Sequence, residues 1–105
     1  MIEVARTPLG RIALEPKALT RLVRDAAESA SGTRVVRAAR ALGVSLDEDG
    51  AATVAVKVTA PRRAVLPELG ALVQERVAEV LQQALDVSPN RVDVTIEGIH
   101  AEGEG

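Results

Sequence analysis

Apolar residues recur along this chain in two rhythms, one helical and one extended. From Pro16 to Ala30, the residues Leu19, Leu22, Val23, Ala26, Ala27 and Ala30 fall at three- and four-residue steps, with Arg21, Arg24, Asp25 and Glu28 between them. That spacing predicts an amphipathic helix with one apolar stripe. Pro16 suits its first turn, where a missing N–H is no loss. Ser31-Gly32 ends it, because glycine readily takes the left-handed conformation that closes many helices. A second stripe runs through Leu69, Leu72, Val73, Val77, Val80, Leu81, Ala84 and Leu85, with Gln74, Glu75, Arg76, Glu79, Gln82 and Gln83 on the wet side. It predicts a second helix, opened by Pro67-Glu68 and closed by Ser88-Pro89-Asn90.

Three stretches alternate instead. Gly10 to Leu14 places Ile12 and Leu14 on one face, Val54, Val56 and Val58 alternate with Ala55, Lys57 and Thr59, and Val92, Val94 and Ile96 alternate with Asp93, Thr95 and Glu97. Each predicts a strand with one apolar face. Thr33 to Asp47 is mixed. Arg34, Arg37 and Arg40 sit three apart among Ala and Leu, which favours helix, whereas Gly43 to Leu46 alternates like strand. The segment reads as mainly extended, and strand versus helix over 33–42 stays open. Asp47-Glu48-Asp49-Gly50 predicts the turn of a hairpin, and Pro61-Arg62-Arg63 breaks the strand that follows it.

The expected order is therefore β-α-β-β-α-β. With one apolar face per strand and one stripe per helix, it makes an α+β, two-layer α/β sandwich with both helices packed on one face of a small sheet. A length of 105 residues fits a single domain. Its globular core is expected over 10–100, with flexible ends at 1–9 and 101–105.

Composition narrows the chemistry. The chain has no Phe, Tyr, Trp or Cys. Its core must be aliphatic, and disulfides, thiolate catalysis and Cys-type metal sites are excluded. No apolar run is long enough for a transmembrane helix. Met1 to Arg11 carries Glu3 and Arg6 and lacks the apolar stretch of a signal peptide. The expected location is cytoplasmic, with any membrane association through a partner. The net charge of −2 lacks the basic excess typical of nucleic-acid binders.

Several of these stretches together resemble a known family, the alkaline-shock or Gls-type general stress proteins of Gram-positive bacteria. The similar elements are Gly10-Arg11-Ile12-Ala13-Leu14 before the helix from Pro16, and the strand Val54-Ala55-Val56-Lys57-Val58. The most specific are Leu66-Pro67-Glu68-Leu69 leading into Val73-Gln74-Glu75-Arg76-Val77, and Asn90-Arg91-Val92-Asp93-Val94-Thr95-Ile96-Glu97-Gly98-Ile99. The likeness covers about Gly10 to His100. Two places depart from it: Ser31-Gly32-Thr33-Arg34 stands where members commonly carry Val-Pro-Gly-Val, and Pro61-Arg62-Arg63 where an aromatic residue often follows the third strand. The resemblance implies a non-enzymatic protein linked to cell-envelope stress and held at the membrane by a small membrane-anchored partner. It implies no cofactor, no metal and no set of functional residues.

The residues themselves supply few candidates for chemistry. His100 is the sole histidine and sits near the end of the chain, so it is expected to be solvated rather than a base or ligand. Asp47, Glu48 and Asp49 are consecutive and lack the alternating spacing of a calcium loop. Ser29, Ser31, Ser45 and Ser88 have no histidine on a rigid element to activate them, and no glycine-rich phosphate loop occurs. Arg34, Arg37, Arg40, Arg62 and Arg63 form the candidate partner-contact patch, set against a plainer role as a charged edge that discourages strand pairing.

The leading expectation is a protein–protein interaction module, with a homo-oligomer also open. The alternative is an RNA- or ribosome-associated small α/β domain, disfavoured because no aromatic residue is present to stack on bases. A small enzyme working with carboxylates and backbone alone is a third reading.

Overall fold

A computed structural model describes residues 2–30, 32–37, 40–46 and 51–101. Its elements are β1 (Ile2–Thr7), β2 (Gly10–Leu14), α1 (Pro16–Glu28), β3 (Arg34–Val35), β4 (Leu42–Leu46), β5 (Ala52–Pro61), α2 (Leu66–Leu85) and β6 (Pro89–His100).

β5 organises the main sheet. It pairs antiparallel with β4, from Leu42 opposite Val56 to Leu46 opposite Ala52, and antiparallel with β3 further along, Arg34 opposite Thr59. Both lie on one of its edges. On the other edge β6 runs parallel to it, from Pro89 beside Ala52 to His100 beside Pro61. A parallel pair needs a long crossover, and the 20-residue helix α2 supplies it. Helices cover one face of this sheet, as the α+β two-layer sandwich requires: Val54, Val56 and Val58 are buried, while Thr53, Ala55 and Lys57 between them are exposed.

The core is entirely aliphatic. Leu19, Val23, Ala27 and Ala30 from the first helical stretch meet Leu69, Val73, Val77 and Leu81 from α2 over the inward valines of β5. Each stripe follows the helical period, and its residues are buried or half-buried with one exception. Ala84, expected in the α2 stripe, is exposed, because the stripe drifts around the last turn and Leu85 takes the inward place.

Helix ends differ in part from expectation. α1 begins at Pro16 without a side-chain cap, and Gly32 closes the segment beyond it with φ +70. α2 ends before Ser88-Pro89-Asn90. Asp86 takes the left-handed conformation, φ 56, and Gln82 holds it by donating from Nε2 to Asp86 Oδ1 at 2.8 Å. Ser88 in turn donates to Gln82 Oε1 at 2.9 Å. Pro89 then opens β6 rather than closing the helix, a position that an edge strand tolerates.

Two strands have no counterpart in the sequence reading. β1 occupies part of the expected flexible end and pairs antiparallel with β2, Thr7 opposite Gly10 and Ile2 opposite Leu14. The two strands form their own sheet, and their side chains from Ala5 to Ala13 are exposed. Gly10–Leu14 is thus a strand, as expected, but in this separate arm rather than in the main sheet. Leu9, at the tip, is 100% exposed. Gly10 there has φ +135, and Thr7 Oγ1 accepts from the Leu9 N–H at 3.2 Å. β3 is the second addition. Within 33–42 the structure shows a short strand, with Val36 N–H donating to Lys57 O and Lys57 N–H to Ala41 O, and no helix among the described residues. The expected turn at Asp47–Gly50 and the end at 102–105 lie outside the described residues.

Candidate binding pocket and strand edge

Three elements end at the same place. β5 stops at Pro61, which lacks the N–H needed to extend its ladder, β6 stops beside it at His100, and α2 starts at Leu66. The segment leaving α1 crosses here too, with Gly32 packed on Pro61. Between them lies a pocket of about 650 Å³. Pro61, Ala64, Val65, Leu69 and Leu72 form its apolar side, and Thr33, Arg34, Arg63, Glu68 and His100 its polar side.

His100 is not the solvated residue of a fraying end. It is half-buried on a paired strand, and its Nδ1 lies 2.8 Å from Thr59 Oγ1. Its carbonyl accepts from the Arg62 N–H at 3.1 Å. The sequence reading failed here because it judged position along the chain, whereas parallel pairing with β5 carries order out to His100. Among the described residues the ring's partner is a hydroxyl and not the carboxylate that orients a general base.

Thr33 is the one polar residue buried among the described residues, 3% exposed, and its Oγ1 has no hydrogen-bond partner. An unmade hydrogen bond of this kind costs about 1–3 kcal/mol. Thr33→Val, which keeps the shape and removes the hydroxyl, is therefore expected to raise stability by about 1 kcal/mol or more, read as a higher urea midpoint at unchanged slope.

The five arginines of the candidate patch divide. Arg34 and Arg63 meet in this pocket. Arg34 also borders a second pocket with Arg37, Glu28 and Glu97. Glu28 there accepts the Val35 N–H at 3.1 Å and ties the end of α1 to β3. Arg40 and Arg62 are exposed and border neither pocket. The acid Glu68 lines the first pocket with Arg34 and Arg63, and Glu28 and Glu97 line the second with Arg34 and Arg37, so acids interleave with these arginines.

A second feature lies along β6. This strand is 12 residues long and, among the described residues, pairs with no strand but β5. Its other edge runs beside a shallow apolar groove formed with α2 by Leu66, Pro67, Gly70, Ala71, Val94 and Ile96. Gln74 reaches from α2 and donates to the Val92 carbonyl at 2.9 Å. On the outer face Arg91 Nε donates to Asp93 at 2.8–2.9 Å, a hydrogen bond and charge pair that hold the guanidinium above its ordinary range. Both side chains are exposed, so the pair adds little to stability. Sequence reasoning missed the groove, though Gly70 and Ala71 on the α2 surface were its signal: small residues leave the helix flank low beside the strand.

Among the described residues, no three His, Cys, Asp or Glu side chains gather where they could hold a metal ion, and no helix is long and apolar enough to cross a membrane. No family model, no curated protein and no solved structure matches this chain.

Proposed function

We propose that this chain is a non-enzymatic protein-interaction module and that an extended segment of a partner protein docks along β6. The observation that carries this reading is the long strand that pairs with no strand but β5 among the described residues, bordered by an apolar groove. An added strand gains main-chain hydrogen bonds along the edge, while alternate side chains enter the groove and set specificity. An edge of this length is otherwise a site of uncontrolled pairing, and the exposed Arg91, Asp93 and Glu97 restrain such pairing. The resemblance to the alkaline-shock proteins supplies the setting: cell-envelope stress, a cytoplasmic location and a small membrane-anchored partner. The RNA-associated reading lacks an equivalent observation, since Arg34 and Arg63 meet only in a pocket that also holds Glu68, and the chain has no aromatic platform.

The test uses Ala71→Arg, which fills the groove from an exposed helix position with another good helix former. Crosslinking in native cells followed by purification is expected to capture a small membrane-fraction protein with the unaltered chain. Ala71→Arg is expected to weaken that capture tenfold or more, roughly 1.4 kcal/mol or greater, at unchanged melting temperature. A chain that emerges alone, or equal capture by the variant, overturns the reading.

A further inference from the structure

We infer that the outer sides of α1 and α2 form a self-complementary surface through which two copies of this chain pair about a two-fold axis, a contact separate from the β6 edge. Two ridges of opposite charge carry the inference. On α1, Lys17, Arg21 and Arg24 follow one another at steps of four and three residues, and all are exposed. On α2, Glu68, Glu75 and Glu79 lead at steps of seven and four to Asp86 at the helix end, and all are exposed. Such steps place residues on one side of a helix. Each helix therefore shows solvent a ridge of one sign. Glu28 closes the α1 ridge with an acid, but its carboxylate is engaged by the Val35 N–H.

These charges are not answered within the chain. Among the described residues, none of the side chains on either ridge forms an ion pair. Lys17 with Arg21, and Glu75 with Glu79, are like charges four apart and repel along their own ridge. An opposing ridge replaces that repulsion with attraction. α1 and α2 pack side by side over the same face of β5, so one copy carries both ridges on its helical side. A half turn sets α1 of each copy on α2 of the other, and every pair then occurs twice. The exceptions match as well: Asp25 beside the α1 ridge and Arg76 beside the α2 ridge are again opposite in sign. Lys17 to Arg24 covers about 10 Å of helix and Glu68 to Glu79 about 16 Å, so the shorter ridge lies within the longer. A net charge of −2 leaves little long-range repulsion between copies. A purely acidic or purely basic surface would attract one ridge and repel the other, whereas a second copy satisfies both. Exposed pairs are individually weak, so the contact is of modest affinity and sensitive to salt.

Sedimentation equilibrium on the full chain tests the pairing. At an ionic strength of about 0.01 M, where charges act over about 30 Å, the mass is expected to rise with concentration toward double the 11.0 kDa of one chain. At about 1 M, where they act over about 3 Å, it is expected to return to one chain. Arg21→Glu with Arg24→Glu turns the α1 ridge acidic like that of α2. Glu75→Arg with Glu79→Arg turns the middle of the α2 ridge basic like that of α1. Each double variant is expected to weaken self-association about tenfold or more, and the two are expected to pair with each other on mixing. Joining all four changes keeps the parent net charge and is expected to restore self-association. Every change puts a good helix former at an exposed position, and circular dichroism reports that each variant is folded. A mass that stays at one chain at low salt, association unmoved by salt, double variants that associate as the parent does, a mixture that fails to pair, or a joined variant that stays single would each overturn the inference. So would binding to vesicles of anionic phosphatidylglycerol by a chain that stays single, which assigns the α1 ridge to a lipid surface.

Discussion

Leu81→Ala is expected to remove about 3 kcal/mol of stability, the largest loss from any single truncation in this core. Leu81 is 1% exposed and the bulkiest of the fully buried side chains. It sits on the inward stripe of α2 with Val73 and Val77, over the valines of β5. Its neighbours are stiff β-branched residues with few alternative rotamers, so they collapse poorly into the space it leaves. No ring elsewhere in the core supplies compensating contact area. A domain of this size holds about 5–15 kcal/mol in total, so the variant should show a clearly lower urea midpoint by circular dichroism with an unchanged slope. Ala84→Ser is the matched control, because Ala84 lies on the same helix but is exposed. A loss below about 1 kcal/mol for Leu81→Ala would mean that the core repacks freely.

Gly32→Ala is expected to cost about 2 kcal/mol, from two separable sources. Its φ of +70 lies where an L side chain is strained by about 1–2 kcal/mol. In addition, a Cβ at this position would stand 3.0 Å from Pro61 Cγ, and the ring has backbone on both sides to hold it in place. The two sources part in a double-mutant cycle. In a Pro61→Ala background the closest contact, to Cγ, is gone, while the one to Cβ at 3.3 Å and the backbone strain remain, so Gly32→Ala should cost less there by about 0.5–1 kcal/mol. Additive losses would show that the contact with Pro61 carries no energy. The same glycine places Thr33 and Arg34 at the pocket, which explains why the chain turns so tightly at this point.

Most of the main sheet and both helices were legible because burial writes a period into sequence. Val54, Val56 and Val58 alternate since one side of β5 is dry, and Leu69, Val73, Val77 and Leu81 repeat since one side of α2 is dry. β1 wrote no such mark. Its arm buries almost nothing, so hydrophobic patterning could not report it, although Pro8-Leu9 followed by Gly10 was a turn signal of the kind that joins two strands. β3 is two residues long, too short for any period. Nearness to the chain end says nothing of the environment of His100, which is set by Thr59, 41 positions away. The pocket has the same character. Thr33, Arg34, Arg63, Glu68 and His100 come from three separate stretches, and only the parallel pairing of β6 with β5 brings the last of them to the others. Arg34 and Arg63 read in sequence as members of a surface patch, and the fold brings both to the lining of one pocket.

The absence of rings from the core carries an optical consequence. A body packed only from Val, Leu, Ile and Ala is nearly dark in the near ultraviolet and does not fluoresce. Any tryptophan or tyrosine on a molecule that settles against it is therefore seen without background. The protein is in this sense its own blank, and light absorbed or emitted by a complex reports the visitor alone.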